Sequence, residues 1–189
     1  MAFARSKAPV VHDESSLYEY AVAALGRKMR STVELRTLLK RRAGAQPNTA
    51  AMIEAVLARL REQKYLNDAG FAASYASYRK ENERFGRQRV AQDLLRKGVE
   101  KQTAARALDE IYAGQNDEEL ARAFLKRKRI QPPADDKAAA RIYRMLARAG
   151  YSLRTASQIL RNWQVGEETV SLLEEQRLEA EEHPPEETE

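Results

Sequence analysis

The amino-acid pattern predicts an all-α fold: three tandem three-helix units, about nine helices, stacked into an elongated curved rod. Three observations carry that prediction. Ala, Leu, Arg, Glu and Lys dominate, while Gly and Pro number only 8 and 6, a composition that favours helix over sheet. Apolar residues recur at i, i+3, i+4, i+7, the spacing of one helix face. That pattern returns at intervals of roughly fifty residues, the length of one small supersecondary repeat.

The first unit is assigned to residues 13–63. Asp13, Glu14 and Ser15 supply helix-start chemistry, and Leu17, Tyr20, Ala21 and Ala24 form the stripe that follows. Leu35, Leu38 and Leu39 mark a second helix, which ends through Lys40, Arg41 and Arg42 at Gly44. Cations suit the negative end of a helix, and glycine takes the left-handed conformation just past it. Gln46, Pro47 and Asn48 lengthen the join before the third stripe, Ile53, Val56, Leu57 and Leu60.

The second unit, 64–113, repeats the order. Asn67 and Asp68 precede Phe71, Tyr75 and Tyr78; Ala91, Leu94 and Leu95 run through Arg96 and Lys97 to Gly98; Ala104, Ala107, Leu108 and Ile111 close it. The third, 114–165, has Asn116, Asp117 and Glu118 before Leu120, Ala123 and Phe124, then Ile142, Met145 and Leu146 ending at Arg148 and Gly150, then Ala156, Ile159, Leu160 and Trp163. Pro132 and Pro133 lie in the join between its first two helices. Neither has an amide donor, so the join reads as an irregular loop, with a hinge as the alternative. One triplet of short helices buries little apolar area, so stacking of neighbours has to supply the core. Residues 1–12 lack periodicity and are read as disordered. Residues 166–189 are read as an acidic, largely disordered tail.

The overall charge of +5 hides an asymmetry. Residues 174–189 hold eight glutamates and one arginine; without them 32 basic residues face 20 acidic ones, a net +12. A body this basic attracts nucleic acid or an acidic protein surface. The tail, at −7, is suited to fold back on it.

The ingredients of catalysis are missing. There is no cysteine, which excludes disulfides, thiolate metal sites and thiol chemistry. The two histidines, His12 and His183, stand at opposite ends and cannot converge on a metal with further ligands. No glycine run cradles a phosphate. Asp109/Glu110 and Asp135/Asp136 are sequence neighbours and point apart on a helix. No enzyme, cofactor or metal site is expected. Neither a membrane span nor a secretory leader is evident, which places the chain in the cytoplasm.

Binding remains. Arg141, Arg144 and Arg148 lie at i, i+3, i+7 beside the apolar stripe of their helix, Lys126, Arg127, Lys128 and Arg129 form a run, and Arg79, Arg84, Arg87 and Arg89 cluster around Gly86. Guanidinium groups bind phosphate and carboxylate in bidentate fashion. A solvated helix face or a helix C-terminal charge accounts for the same clusters without function. Tyr18, Tyr75, Tyr78 and Tyr143 read as core aromatics, with base stacking as the alternative.

The middle of the chain adds a resemblance. Tyr65-Leu66-Asn67-Asp68, Phe71-Ala72, Arg79, Gly86, Leu94 and Lys97-Gly98-Val99 resemble, in order and spacing, the signature stretch of the RecX family. Asn67 stands where that family often has Asp, and a cap accepts either; the glutamate tail is not a family feature. The resemblance implies nine helices in three triplets and a non-enzymatic regulator of the RecA recombinase, active in DNA repair, homologous recombination and the SOS response. Its partner would be the RecA filament, bound in the filament groove. Its effect would be to inhibit the filament's ATPase, strand exchange and co-protease activities. Single- or double-stranded DNA is a further partner, and the protein is read as a monomer. The cations named above are the expected contacts, on grounds of exposure and not of a family motif. A direct DNA-binding helical module, or a helical scaffold for an acidic protein, remains open beside that reading.

Overall fold

The computed structural model describes residues 13–45 and 47–182, with side chains described to Arg177. Among these the fold is all-α. Ten helices run in order: α1 (Glu14–Arg27), α2 (Thr32–Ala43), α3 (Thr49–Glu62), α4 (Asp68–Glu83), α5 (Arg87–Arg96), α6 (Lys101–Ile111), α7 (Asp117–Arg127), α8 (Asp136–Arg148), α9 (Leu153–Asn162) and α10 (Glu167–Glu182). The expected disorder of residues 1–12 and both histidines fall outside the described residues.

The chain divides into two compact units, residues 1–72 with 94–104, and residues 73–93 with 105–189. In the first, α1, α2 and α3 pack on one another around Leu17, Leu35, Leu39, Ile53, Leu57 and Leu60, all sealed from solvent. The predicted stripes supply this core, because residues three and four apart share one helix face. Asp13 caps α1 by accepting from the Ser16 amide at 2.8 Å. Ser31 and Glu34 form a reciprocal capping box on α2. The Ser31 hydroxyl also donates to the Lys97 carbonyl at 2.5 Å, and the Lys97 ammonium reaches Glu34 at 2.6 Å. Gly98 (φ +77) has the Val33 side chain where a Cβ would stand, so a larger residue is blocked on steric and backbone grounds alike.

In the second unit α9 lies against α7, α8 and α10. Leu120, Phe124, Leu125, Ile142, Tyr143, Leu146, Ile159 and Leu160 are buried. Asn116, Asp135 and Ser152 cap α7, α8 and α9 through their side-chain oxygens. The stretch holding Pro132 and Pro133 is free of helix, as expected.

The tail requires a correction. Residues 167–182 form a helix, not a disordered extension. Val170 and Leu173 are buried, an i, i+3 pair that docks α10 on α8 and α9. Glu167 and Glu168 occupy its first turn, where acidic side chains favour the positive end of the dipole. Net charge concealed this short apolar stripe. Two other stripes are narrower than expected, since Tyr78 and Leu95 are exposed.

Candidate polyanion groove

The site begins with a close approach of two backbones in the second unit. The Gly86 amide, just before α5, donates to the Ala149 carbonyl after α8 at 2.8 Å. A Cβ on Gly86 would meet the Gly150 carbonyl, and one on Gly150 (φ +90) would meet the backbone of Arg89. Only glycine fits at either position. The turn 84–86 is held from beneath by two phenols. The Tyr112 hydroxyl donates to the Phe85 carbonyl at 2.8 Å, and the Tyr151 hydroxyl donates to the Arg84 carbonyl. Burial pushes both hydroxyls up from the ordinary phenol range. Phe85, Phe124 and Tyr151 form a ladder with ring centroids 6.0 and 6.1 Å apart.

This joint sets Arg89 of α5 beside Arg144 and Arg148 of α8. Two adjoining clefts result. One, of about 460 Å³, is walled by Gln88, Arg89 and Gln92 of α5, by Tyr143, Arg144 and Arg148 of α8, and by Leu173, Gln176 and Arg177 of α10. The other, of about 490 Å³, adds Lys128, Arg141 and Met145 to Arg89, Arg144 and Arg148, over a floor of Phe85 and Phe124. Among the described residues no carboxylate lines either cleft. Arg141, Arg144, Arg148 and Lys128 are exposed and form no ion pair with any described residue. Cations gathered without counter-charge raise the local potential and favour an anionic ligand.

The expected contact residues therefore separate. Arg141, Arg144, Arg148, Arg89 and Lys128 converge on the groove. Lys126 and Arg129 line a different pocket, with Trp163, and Arg127 is exposed away from all three. Arg87 pairs with Asp109 at 2.5 Å. Arg84 has an exposed side chain and a left-handed backbone (φ 57). Arg79 is structural: its guanidinium bridges Glu83 and Asp93, each at 2.7 Å, and lies 4.5 Å from the centre of the Phe85 ring. Asp93, itself buried, also stands 3.2 Å from Arg89. It thus anchors one groove cation while neutralising Arg79.

Among the tyrosines, Tyr143 is buried and Tyr78 exposed, Tyr75 donates to Asp93, and Tyr18 donates to Gln63 beneath the Arg59 guanidinium. Sequence reasoning missed Gln88, Gln92, Gln176 and Arg177. The i, i+3, i+7 spacing of Val170, Leu173 and Arg177 was the available signal. Among the described residues no group of three acidic or histidine side chains converges as a metal site, and no helix is long and apolar enough to cross a membrane.

Comparison with known proteins decides the family. A regulatory protein RecX from Leptothrix cholodnii is 37% identical over 146 residues, 77% of this chain and 88% of its own length. The chain belongs to the RecX family. The RecX protein of Pseudomonas syringae pv. tomato is 33% identical over 141 residues, covering 74% of this chain and 86% of the relative. The family model described as RecX, second three-helix domain, matches residues 67–108, the stretch whose Asn67, Gly86 and Gly98 carried the resemblance. The crystal structure of RecX from Lactobacillus salivarius superposes with a TM-score of 0.62 at 19% identity, over 80% of this chain and 97% of that one. A second RecX crystal structure gives 0.54 at 20% identity, over 86% of this chain and 71% of that one. At such identities these two likenesses speak for the RecX fold alone.

Proposed function

We propose that this chain is a non-enzymatic, cytoplasmic regulator that binds the RecA–DNA filament as a monomer. Its effect is to lower the filament's ATPase, strand exchange and co-protease activities. The observation that carries the reading is the groove of Arg89, Lys128, Arg141, Arg144 and Arg148, with no carboxylate among the described residues of its walls, in a chain whose relatives are regulatory proteins. A polyanionic filament, rich in DNA phosphate and protein carboxylate, is the complementary surface. Charge-assisted contacts of this kind speed encounter and set orientation. Arg79, held in an internal network, is left out of the contact set.

The test is RecA-dependent ATP hydrolysis on single-stranded DNA, with this protein titrated in. Hydrolysis falls at sub-stoichiometric amounts, and Arg144→Glu with Arg148→Glu shifts the curve to higher concentration. A flat response through a full titration would remove the proposal. An unshifted curve for the doubly reversed variant would remove the groove from it.

A further inference from the structure

The pocket of Lys126, Arg129 and Trp163 is not used by the groove. It lies in the second unit, with a volume of about 350 Å³, and Leu125 and Ile130 line it. Trp163 follows α9 and is partly exposed. Lys126 and Arg129 are exposed on the rim and form no ion pair with any described residue. Arg122, also on the rim, is neutralised by Glu118 at 2.7 Å. A half-open indole above an aliphatic floor, flanked by two uncompensated cations, combines an apolar platform with anion affinity.

The pocket continues a track. Lys126 and Arg129 face Trp163, while Lys128, from the same run, faces the groove that holds Arg141, Arg144 and Arg148. The end of α7 therefore carries cations into both. Proteins that hold unpaired nucleic acid combine a cationic path for the backbone with aromatic platforms for the bases. Duplex DNA offers no free base face to a platform of this kind. An acidic peptide with an aromatic side chain would satisfy the pocket alone, but a polyphosphate backbone uses the pocket and the adjoining cations together.

We infer that Trp163 is a stacking platform for one unpaired base of single-stranded DNA, with Lys126 and Arg129 holding the adjacent phosphates. The inference deepens the proposed function by naming the filament component that the second unit touches, and to that extent rests on it.

Trp163 is the sole tryptophan of the chain, so its fluorescence reports the site directly. Full-length protein without RecA is titrated with oligo(dT), with an abasic strand of equal length and charge, with duplex DNA, and with an acidic aromatic peptide. Oligo(dT) quenches the emission saturably; the abasic strand and the duplex leave it near its starting value. By anisotropy of a labelled oligonucleotide, Trp163→Ala weakens binding at least about fivefold, while Trp163→Phe retains most of the affinity. Helicity of both variants is checked by circular dichroism. If Trp163→Ala fails to fold, the quenching series on the natural protein decides alone. Equal quenching by the abasic strand, quenching by the peptide but not by oligo(dT), or unchanged affinity in a folded Trp163→Ala variant would each overturn the inference. Because RecA is absent, failure here leaves the ATPase result standing, and a flat ATPase titration leaves the stacking result standing.

Discussion

The two units use arginine and lysine differently. In the first, several cations serve the fold: Arg36 forms a fork with Glu54 at 2.8 and 3.0 Å, Lys97 meets Glu34, and Arg42 and Arg59 lie over the rings of Tyr20 and Tyr18. In the second, Arg79 follows the same habit, but Arg141, Arg144 and Arg148 line clefts that contain no carboxylate among the described residues. Their helix, α8, buries Ala139, Ile142, Tyr143 and Leu146 on its other face. The difference shows that cationic count alone does not locate a binding surface. A charge that already has a partner contributes to stability, whereas one left without a partner in a concave wall is available to a ligand.

The sharpest way to break this contrast is Gly150→Val. It forces a β-branched residue into φ +90 against the Arg89 backbone. A stability loss of at least about 3 kcal/mol is expected, measured by chemical denaturation. An equally stable variant would mean that the joint between α5 and α8 does not hold the groove together.

Next in size, Asp93→Ala leaves Arg79 and Arg89 without their shared carboxylate and should cost about 2 kcal/mol, because the pair is largely buried. The matching change in the first unit, Glu54→Ala, removes an exposed partner and should cost less than about 1 kcal/mol. Equal effects in the two denaturation curves would erase the distinction between inner and outer ion pairs.

Charge reversal at Arg144 and Arg148 should then weaken oligonucleotide binding more than tenfold. It should also flatten the dependence of log affinity on log salt by about two units of slope, with the melting temperature held. Reversal at Arg36 and Arg59 in the first unit should leave the salt slope in place.

The smallest effect concerns alkaline pH. Buried Tyr112 and Tyr151 have folded-state pKa values raised above the unfolded phenol value. Their contribution is complete below about pH 10 and is lost as the pH rises from there towards the folded values. Denaturation midpoints should fall above about pH 10. In the variant Tyr112→Phe, Tyr151→Phe that fall should be shallower, and stability at pH 7 should be lower by about 1 kcal/mol per lost hydrogen bond.

Much of this was legible in one dimension. The stripes Leu17–Ala24, Leu35–Leu39, Ile53–Leu60 and Ile142–Leu146 announced helices and their buried faces, since helical spacing is a local property of the backbone. Asp13, Asn67 and Asn116 announced starts, since a cap needs only residues within one turn. Arg141, Arg144 and Arg148 were identifiable as one helix row for the same reason.

What the sequence determined alone is therefore the helical register, the caps, the family and the pool of cations from which a surface had to be drawn. Only the tertiary structure decided which of those cations were left without a partner. Arg79 and Arg144 look alike in sequence; a carboxylate fourteen residues away, at Asp93, neutralises the first, while none among the described residues reaches the second. Tertiary packing also placed Arg177 and Gln176 of α10 in the groove and Trp163 in one pocket with Lys126 and Arg129. Electrostatic neighbours are set by distances in space, which helix periodicity constrains along one element and not between elements.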